Sequence, residues 1–125
     1  MNLTIAIISD DILFPHLFLI LLKRKIKELE IVICKTFQDI DEKSKIKSCD
    51  LVLLDGGMAR MSSIEVIQHI RAKQLIIAPI WFFTEIETES YILKSKQLGT
   101  SKIVSKPFDP HKVTDEIASL LLNLT

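Results

Sequence analysis

Four apolar runs in this chain each stop at chemically active polar residues, and that punctuation narrows the folds open to it. LTIAIIS ends at Asp10 and Asp11, LVLL at Asp55, IIAPIWFF at Thr84 and KIVS at Lys106. Short, bounded runs that are apolar throughout read as strands covered on both faces, as in a parallel sheet. The five polar residues then emerge at the carboxyl ends of strands in one sheet, the edge where open α/β sheets bind ligands. Three carboxylates, a hydroxyl and an ammonium converging there suit a cation and a phosphoryl group.

The segments between the runs read as helices. A first strand over 3–8 leads into a helix that Asp11 caps, with Pro15 in its first turn. This helix runs to about residue 28 and ends on Lys23, Arg24, Lys25 and Lys27, which suit the negative end of the helix dipole. A second strand over 30–34 precedes a short polar helix at about 40–48. The third strand, 51–54, breaks at Gly56 and Gly57. Ser62 or Ser63 then caps a helix with Ile64, Val66, Ile67 and Ile70 inward. A fourth strand is expected over 76–83, with Pro79 disturbing only its beginning. A helix over 87–98 is capped by Gly99. The fifth strand covers 102–105, and Pro110 opens a last helix with Val113, Ile117, Leu120 and Leu121 inward.

Five rounds of strand and helix, joined by right-handed crossovers, make a doubly wound α/β fold. The expected form is a flavodoxin-like, five-stranded parallel sheet of order 2-1-3-4-5 with five helices. Strands one and three are neighbours in that order, which brings Asp10, Asp11 and Asp55 together.

Composition bounds the rest. The 125 residues make one domain, with 48% hydrophobic and 26% charged residues, ordinary for a soluble globular protein. Sixteen basic residues balance sixteen acidic ones, so no basic excess advertises direct nucleic-acid or membrane binding. Cys34 and Cys49 read as reduced packing thiols of a cytoplasmic protein, set toward opposite edges of the sheet. His16, His69 and His111 share no ligand spacing with each other or with the cysteines, which argues against zinc or iron. ILFPHLFLILL is too short to span a membrane and is interrupted by Pro15 and His16. The final LLLNLT is a place where an output domain could be attached.

Taken together, ISDD after the first strand, LLD after the third, FFT after the fourth and SKPF after the fifth resemble the receiver domain of bacterial two-component response regulators, the CheY-like family. The resemblance covers nearly the whole chain, 1–125. It implies that Asp55 is the phosphoacceptor, and that Asp10, Asp11, Asp55 and the backbone carbonyl of Gly57 hold Mg²⁺. It further implies that Thr84 supplies the hydroxyl that turns toward the new phosphoryl group and that Lys106 neutralises its charge; Lys106-Pro107 matches the family's Lys-Pro peptide, which is often cis, a form open to an X–Pro bond. The implied partner is a sensor histidine kinase or phosphotransfer protein. An output domain or homodimer contact is expected on the face made by the fourth helix, fifth strand and fifth helix. The protein is then a phosphoacceptor that assists its own phosphorylation and dephosphorylation, rather than an enzyme.

Three positions depart from the family pattern. Met58-Ala59 and Ser62-Ser63 stand where many relatives have Met-Pro and Asp-Gly; Glu85 stands where the residue is usually small; Ile103 stands where relatives often have Tyr or Phe. These departures keep open an atypical, phosphorylation-independent interaction module. A flavin-binding protein on the same fold would want a Ser/Thr/Gly-rich turn after the first strand, where the acidic SDD repels phosphate unless a cation intervenes.

Overall fold

The computed structural model describes residues 2–123. The five strands are β1 (Leu3–Ile8), β2 (Leu29–Cys34), β3 (Leu51–Asp55), β4 (Ile80–Thr84) and β5 (Lys102–Ser105). They form one parallel sheet in the order β2-β1-β3-β4-β5, as expected. The helices are α1 (Leu13–Lys25), α2 (Phe37–Glu42), α3 (Ser63–Gln68), α4 (Glu89–Leu98) and α5 (Pro110–Leu122). A 3-10 turn, Ser44–Ser48, follows α2, and a π-helical turn, His69–Lys73, prolongs α3.

Alternation along β1 explains the two layers. Leu3, Ile5 and Ile7 meet Phe14, Phe18 and Leu22 of α1 and Val113, Ile117 and Leu121 of α5. Ala6 and Ile8 belong to the other core, with Ile40, Ile46, Val66, Ile67 and Ile70. Both faces of the sheet are dry, which is why its central strands are continuously apolar. Each fully buried Leu, Ile or Phe contributes about 1.5–3 kcal/mol.

Several boundaries differ from those the sequence suggests. Ile12, not Asp11, occupies the position before α1 and makes no side-chain cap; Asp11 accepts the Ile12 amide instead, at 2.8 Å. The helix ends at Lys25, because buried Ile26 turns extended to lead into β2. The expected helix at 40–48 is split: Thr36 caps α2 by accepting the Asp39 amide at 3.1 Å, and a 3-10 turn follows. Ser62, of the two candidate serines, caps α3.

The fourth strand begins at Ile80 rather than 76. Its pairing with β3 starts at Val52 with Ile80, and just before it the Pro79 carbonyl accepts the Val52 amide at 2.9 Å. Arg71 donates to the carbonyls of Ile76 and Ala78, both at 2.7 Å, and Ile77 is 94% exposed. Pro79 supplies no N–H to reverse that outcome.

Cys34 and Cys49 are both free and buried, and both join the core layer that includes Ile40 and Ile46. Cys34 ends the edge strand β2, whereas Cys49 precedes the central strand β3, so the two are not at opposite edges. Among the described residues no helix is long and apolar enough to cross a membrane. The terminal LLLNLT passes out of the described residues after Asn123.

Candidate phosphoryl and cation site

Strand register builds the site. Ile8 pairs with Leu54, so the next residues on the two strands, Ser9 and Asp55, come side by side, and Asp10 and Asp11 follow. Asp55 pairs with Phe83 and Thr84 with Ser105, which puts Thr84 one step beyond Asp55 on β4 and Lys106 two steps beyond it, just past the end of β5. Asp10, Asp11, Asp55, Gly57, Thr84 and Lys106 all line one cleft of about 510 Å³, as do Glu85 and Ile86. Every residue singled out for this site in the sequence is therefore brought to it.

Asp55 sits at its floor, 5% exposed. Its Oδ1 accepts from the Lys106 ammonium, and its Oδ2 accepts from the Ser9 hydroxyl at 2.7 Å. Lys106 also donates to the Gly56 carbonyl at 3.0 Å, and its peptide with Pro107 is cis. Asp10 has a bridging role: its Oδ2 accepts the amides of Ala59 and Arg60 at 3.1 and 3.2 Å, tying the loop after β1 to the loop after β3. Thr84 is 2% exposed, and its hydroxyl oxygen accepts the Ile86 amide at 3.0 Å.

The two glycines after Asp55 serve different needs. A Cβ on Gly56 would lie 2.5 Å from the Phe83 carbonyl, which accepts the Gly56 amide at 2.6 Å. Only glycine fits so close to the β4 backbone. Gly57 takes φ 77°, a left-handed conformation that side chains disfavour, and so turns the chain away from the sheet.

Four carboxylates, Asp10, Asp11, Asp55 and Glu85, against the one Lys106 ammonium leave the cleft with excess negative charge. Hard oxygen donors of this kind suit Mg²⁺, which keeps several waters and needs few protein ligands. Among the described residues no group of three or more His, Cys, Asp or Glu side chains is placed so that it could hold a metal ion by itself.

Two participants escaped the sequence reading. Ser9 is fully buried and bonded to Asp55; its signal was a lone hydroxyl closing an apolar run. Phe14 carries the Lys106 ammonium 5.3 Å from its ring centre, and nothing in the sequence separates it from the other apolar residues of α1.

Comparison with known proteins agrees with this geometry. The family model described as "Response regulator receiver domain" matches residues 5–118. Over 121 residues the chain is 24% identical to the alkaline phosphatase synthesis transcriptional regulatory protein PhoP of Bacillus subtilis, covering 97% of this chain and 49% of that protein. It is 31% identical over 68 residues to the transcriptional regulatory protein CrdR of Helicobacter pylori, covering 54% of this chain and 32% of that one. The chain thus spans about half or less of the length of these relatives.

Among solved structures, the signal receiver domain of a DNA-binding response regulator from Colwellia psychrerythraea superposes with a TM-score of 0.79 at 22% identity, covering 97% of this chain and 99% of that one. Chemotaxis protein CheY4 of Vibrio cholerae gives 0.79 at 18% identity, covering 95% and 98%. At such identities the superpositions establish the shared fold. The family match, which runs from β1 into α5, establishes more: this chain belongs to the response regulator receiver domains of two-component signalling.

Proposed function

We propose that Asp55 accepts a phosphoryl group from a sensor histidine kinase, a phosphotransfer protein or a small phosphodonor, with Mg²⁺ held by Asp10, Asp11, Asp55 and the carbonyl of Gly57. The observation that carries this is the pairing of Asp55, nearly buried at a strand end, with Lys106 inside an acidic cleft. An Asp55 oxygen attacks phosphorus while the bond from phosphorus to the donor's nitrogen or oxygen breaks, and the leaving group departs with that electron pair. Phosphoryl transfer of this kind depends mainly on positioning and charge neutralisation. A divalent cation held there would supply neutralisation at the phosphoryl oxygens; Lys106 supplies it from its contact with the carboxylate.

Asp10 holds the acidic loop after β1 in register with the loop after β3 through the Ala59 and Arg60 amides. The Thr84 hydroxyl oxygen accepts the Ile86 amide; turning to donate its O–H to a phosphoryl oxygen gives up that amide, and the loop after β4 then moves. The partner's side of the reading rests on a second feature. Leu13, Phe14, Leu17, Ile20 and Phe108 line an apolar groove of about 530 Å³ whose wall includes Asp11 and Lys106. A helical donor seated there would bring its phosphoryl group to the cleft. The face of α4, β5 and α5, with exposed Leu93 and the Lys102–Glu116 pair, is the candidate for a homodimer or an output domain.

Phosphorylation is preferred to the phosphorylation-independent module because each component expected for it lines the cleft, although the departure Glu85 lines it too. Incubation with acetyl phosphate and Mg²⁺, followed by mapping of the adduct, tests the assignment to Asp55. Transfer from a phosphorylated kinase, compared between the native chain and Leu17→Asp, tests the groove.

A further inference from the structure

We infer that Ser9 is a positioning residue for phosphoryl transfer, fixing the carboxylate plane of Asp55 and linking it to the backbone of the cation loop. The inference rests on the reading of Asp55 as the phosphoacceptor. Ser9 is fully buried where β1 ends, and two bonds run through its hydroxyl. It accepts the Asp11 amide at 3.1 Å and donates to Asp55 Oδ2 at 2.7 Å. The chain of contacts is therefore Asp11 N–H to Ser9 oxygen, then Ser9 O–H to the carboxylate.

Lone-pair counting gives this contact its consequence. A carboxylate has about four acceptor sites. Lys106 takes one on Oδ1 and Ser9 takes one on Oδ2. With one site on each oxygen held from opposite sides, the carboxylate cannot rotate about its Cβ–Cγ bond without breaking a bond to a charged group. Each oxygen retains a lone pair, one for a cation and one for phosphorus. Lys106 alone would leave Asp55 free to pivot about a single contact, and orientation within a fraction of an ångström governs the rate of such reactions. Because the Asp11 amide orients the Ser9 hydroxyl in turn, the loop bearing the acid pair and the phosphoacceptor are held as one unit.

The test compares acetyl phosphate labelling of the native chain with Ser9→Ala at saturating Mg²⁺. The maximal rate is expected to fall roughly tenfold, the scale of a lost hydrogen bond to a charged group. The half-saturating donor concentration should stay the same, because Ser9 does not face the donor. Ser9→Thr, which keeps the hydroxyl, should recover most of the rate, whereas its isostere Ser9→Val should not. Should Ser9→Ala fail to fold by circular dichroism, the Thr and Val pair still decides the matter, since they differ only in hydroxyl against methyl. Equal maximal rates for Thr and Val, or for the native chain and Ser9→Ala, would overturn the role of Ser9. Labelling that survives in Asp55→Asn would overturn instead the reading of Asp55.

Discussion

The Lys106 ammonium lies 5.3 Å from the centre of the Phe14 ring while it donates to Asp55. Phe14 packs edge-on against Phe18 and Phe83, at ring separations of 5.0 and 5.2 Å, so the surface beneath the ammonium is a braced aromatic cluster. On the proposed reading, that charge points at the place where negative charge would grow on phosphorylation of Asp55. Lys106→Ala is therefore expected to keep the fold but lower the steady-state level of labelled protein about tenfold or more. Circular dichroism and intact-mass measurement on one sample check both halves of that expectation.

Glu85 lines the same cleft and is exposed. Its charge repels an incoming anionic donor by about 1 kcal/mol at surface-like screening. Glu85→Ala should speed labelling by small phosphodonors roughly fivefold at low salt, and the gap should close as salt rises. Equal rates at low salt, or a slower variant, would remove Glu85 from the donor's path.

Ile103 is half-buried on β5 and packs against the core layer that contains Phe82 and Val66. A β-branched side chain has few rotamers and cannot swing as a ring does. Ile103→Ala should lower stability by about 2 kcal/mol, the low end for a partly covered site, and leave phosphorylation-driven change in the loop after Thr84 intact. A variant of native stability that no longer responds to phosphate would place the coupling in this side chain.

Burial pushes the thiols of Cys34 and Cys49 from the ordinary value of 9.0 up to about 11. Both remain protonated in the folded chain at pH 8, so reaction with a thiol reagent should wait for unfolding. The linkage has a definite sign. Above about pH 9 the unfolded chain loses these protons while the folded chain retains them, so stability should fall as pH rises toward 11. Denaturant midpoints at pH 8 and pH 10 for Cys34→Ala/Cys49→Ala should show a shallower fall than those of the native chain.

The sheet was legible because its central strands must be dry on both faces, which leaves LVLL without a polar residue and LTIAII with only the half-buried Thr4. Asp55, Thr84 and Lys106 were legible because each ends a strand. Apolar content could not say where β4 begins: Ile77 looks like a core residue and stands in solvent, because the Arg71 clamp and the register with β3 decide that boundary. The split after α2 depended on Thr36 as a cap, a local hydrogen bond outside any periodic pattern. Ser9 was read only as part of a strand end. Its contact with Asp55 depends on the pairing of β1 with β3 across 46 positions, a relationship that composition along one strand does not contain.

Phosphorylation of Asp55 is the claim on which the rest depends. Mass spectrometry after incubation with acetyl phosphate should find a single phosphoryl adduct on the peptide containing Asp55, formed with Mg²⁺ and lost when a chelator is added. Asp55→Asn should give none under the same conditions. An adduct that persists in Asp55→Asn, or that forms equally in chelator, would contradict the account.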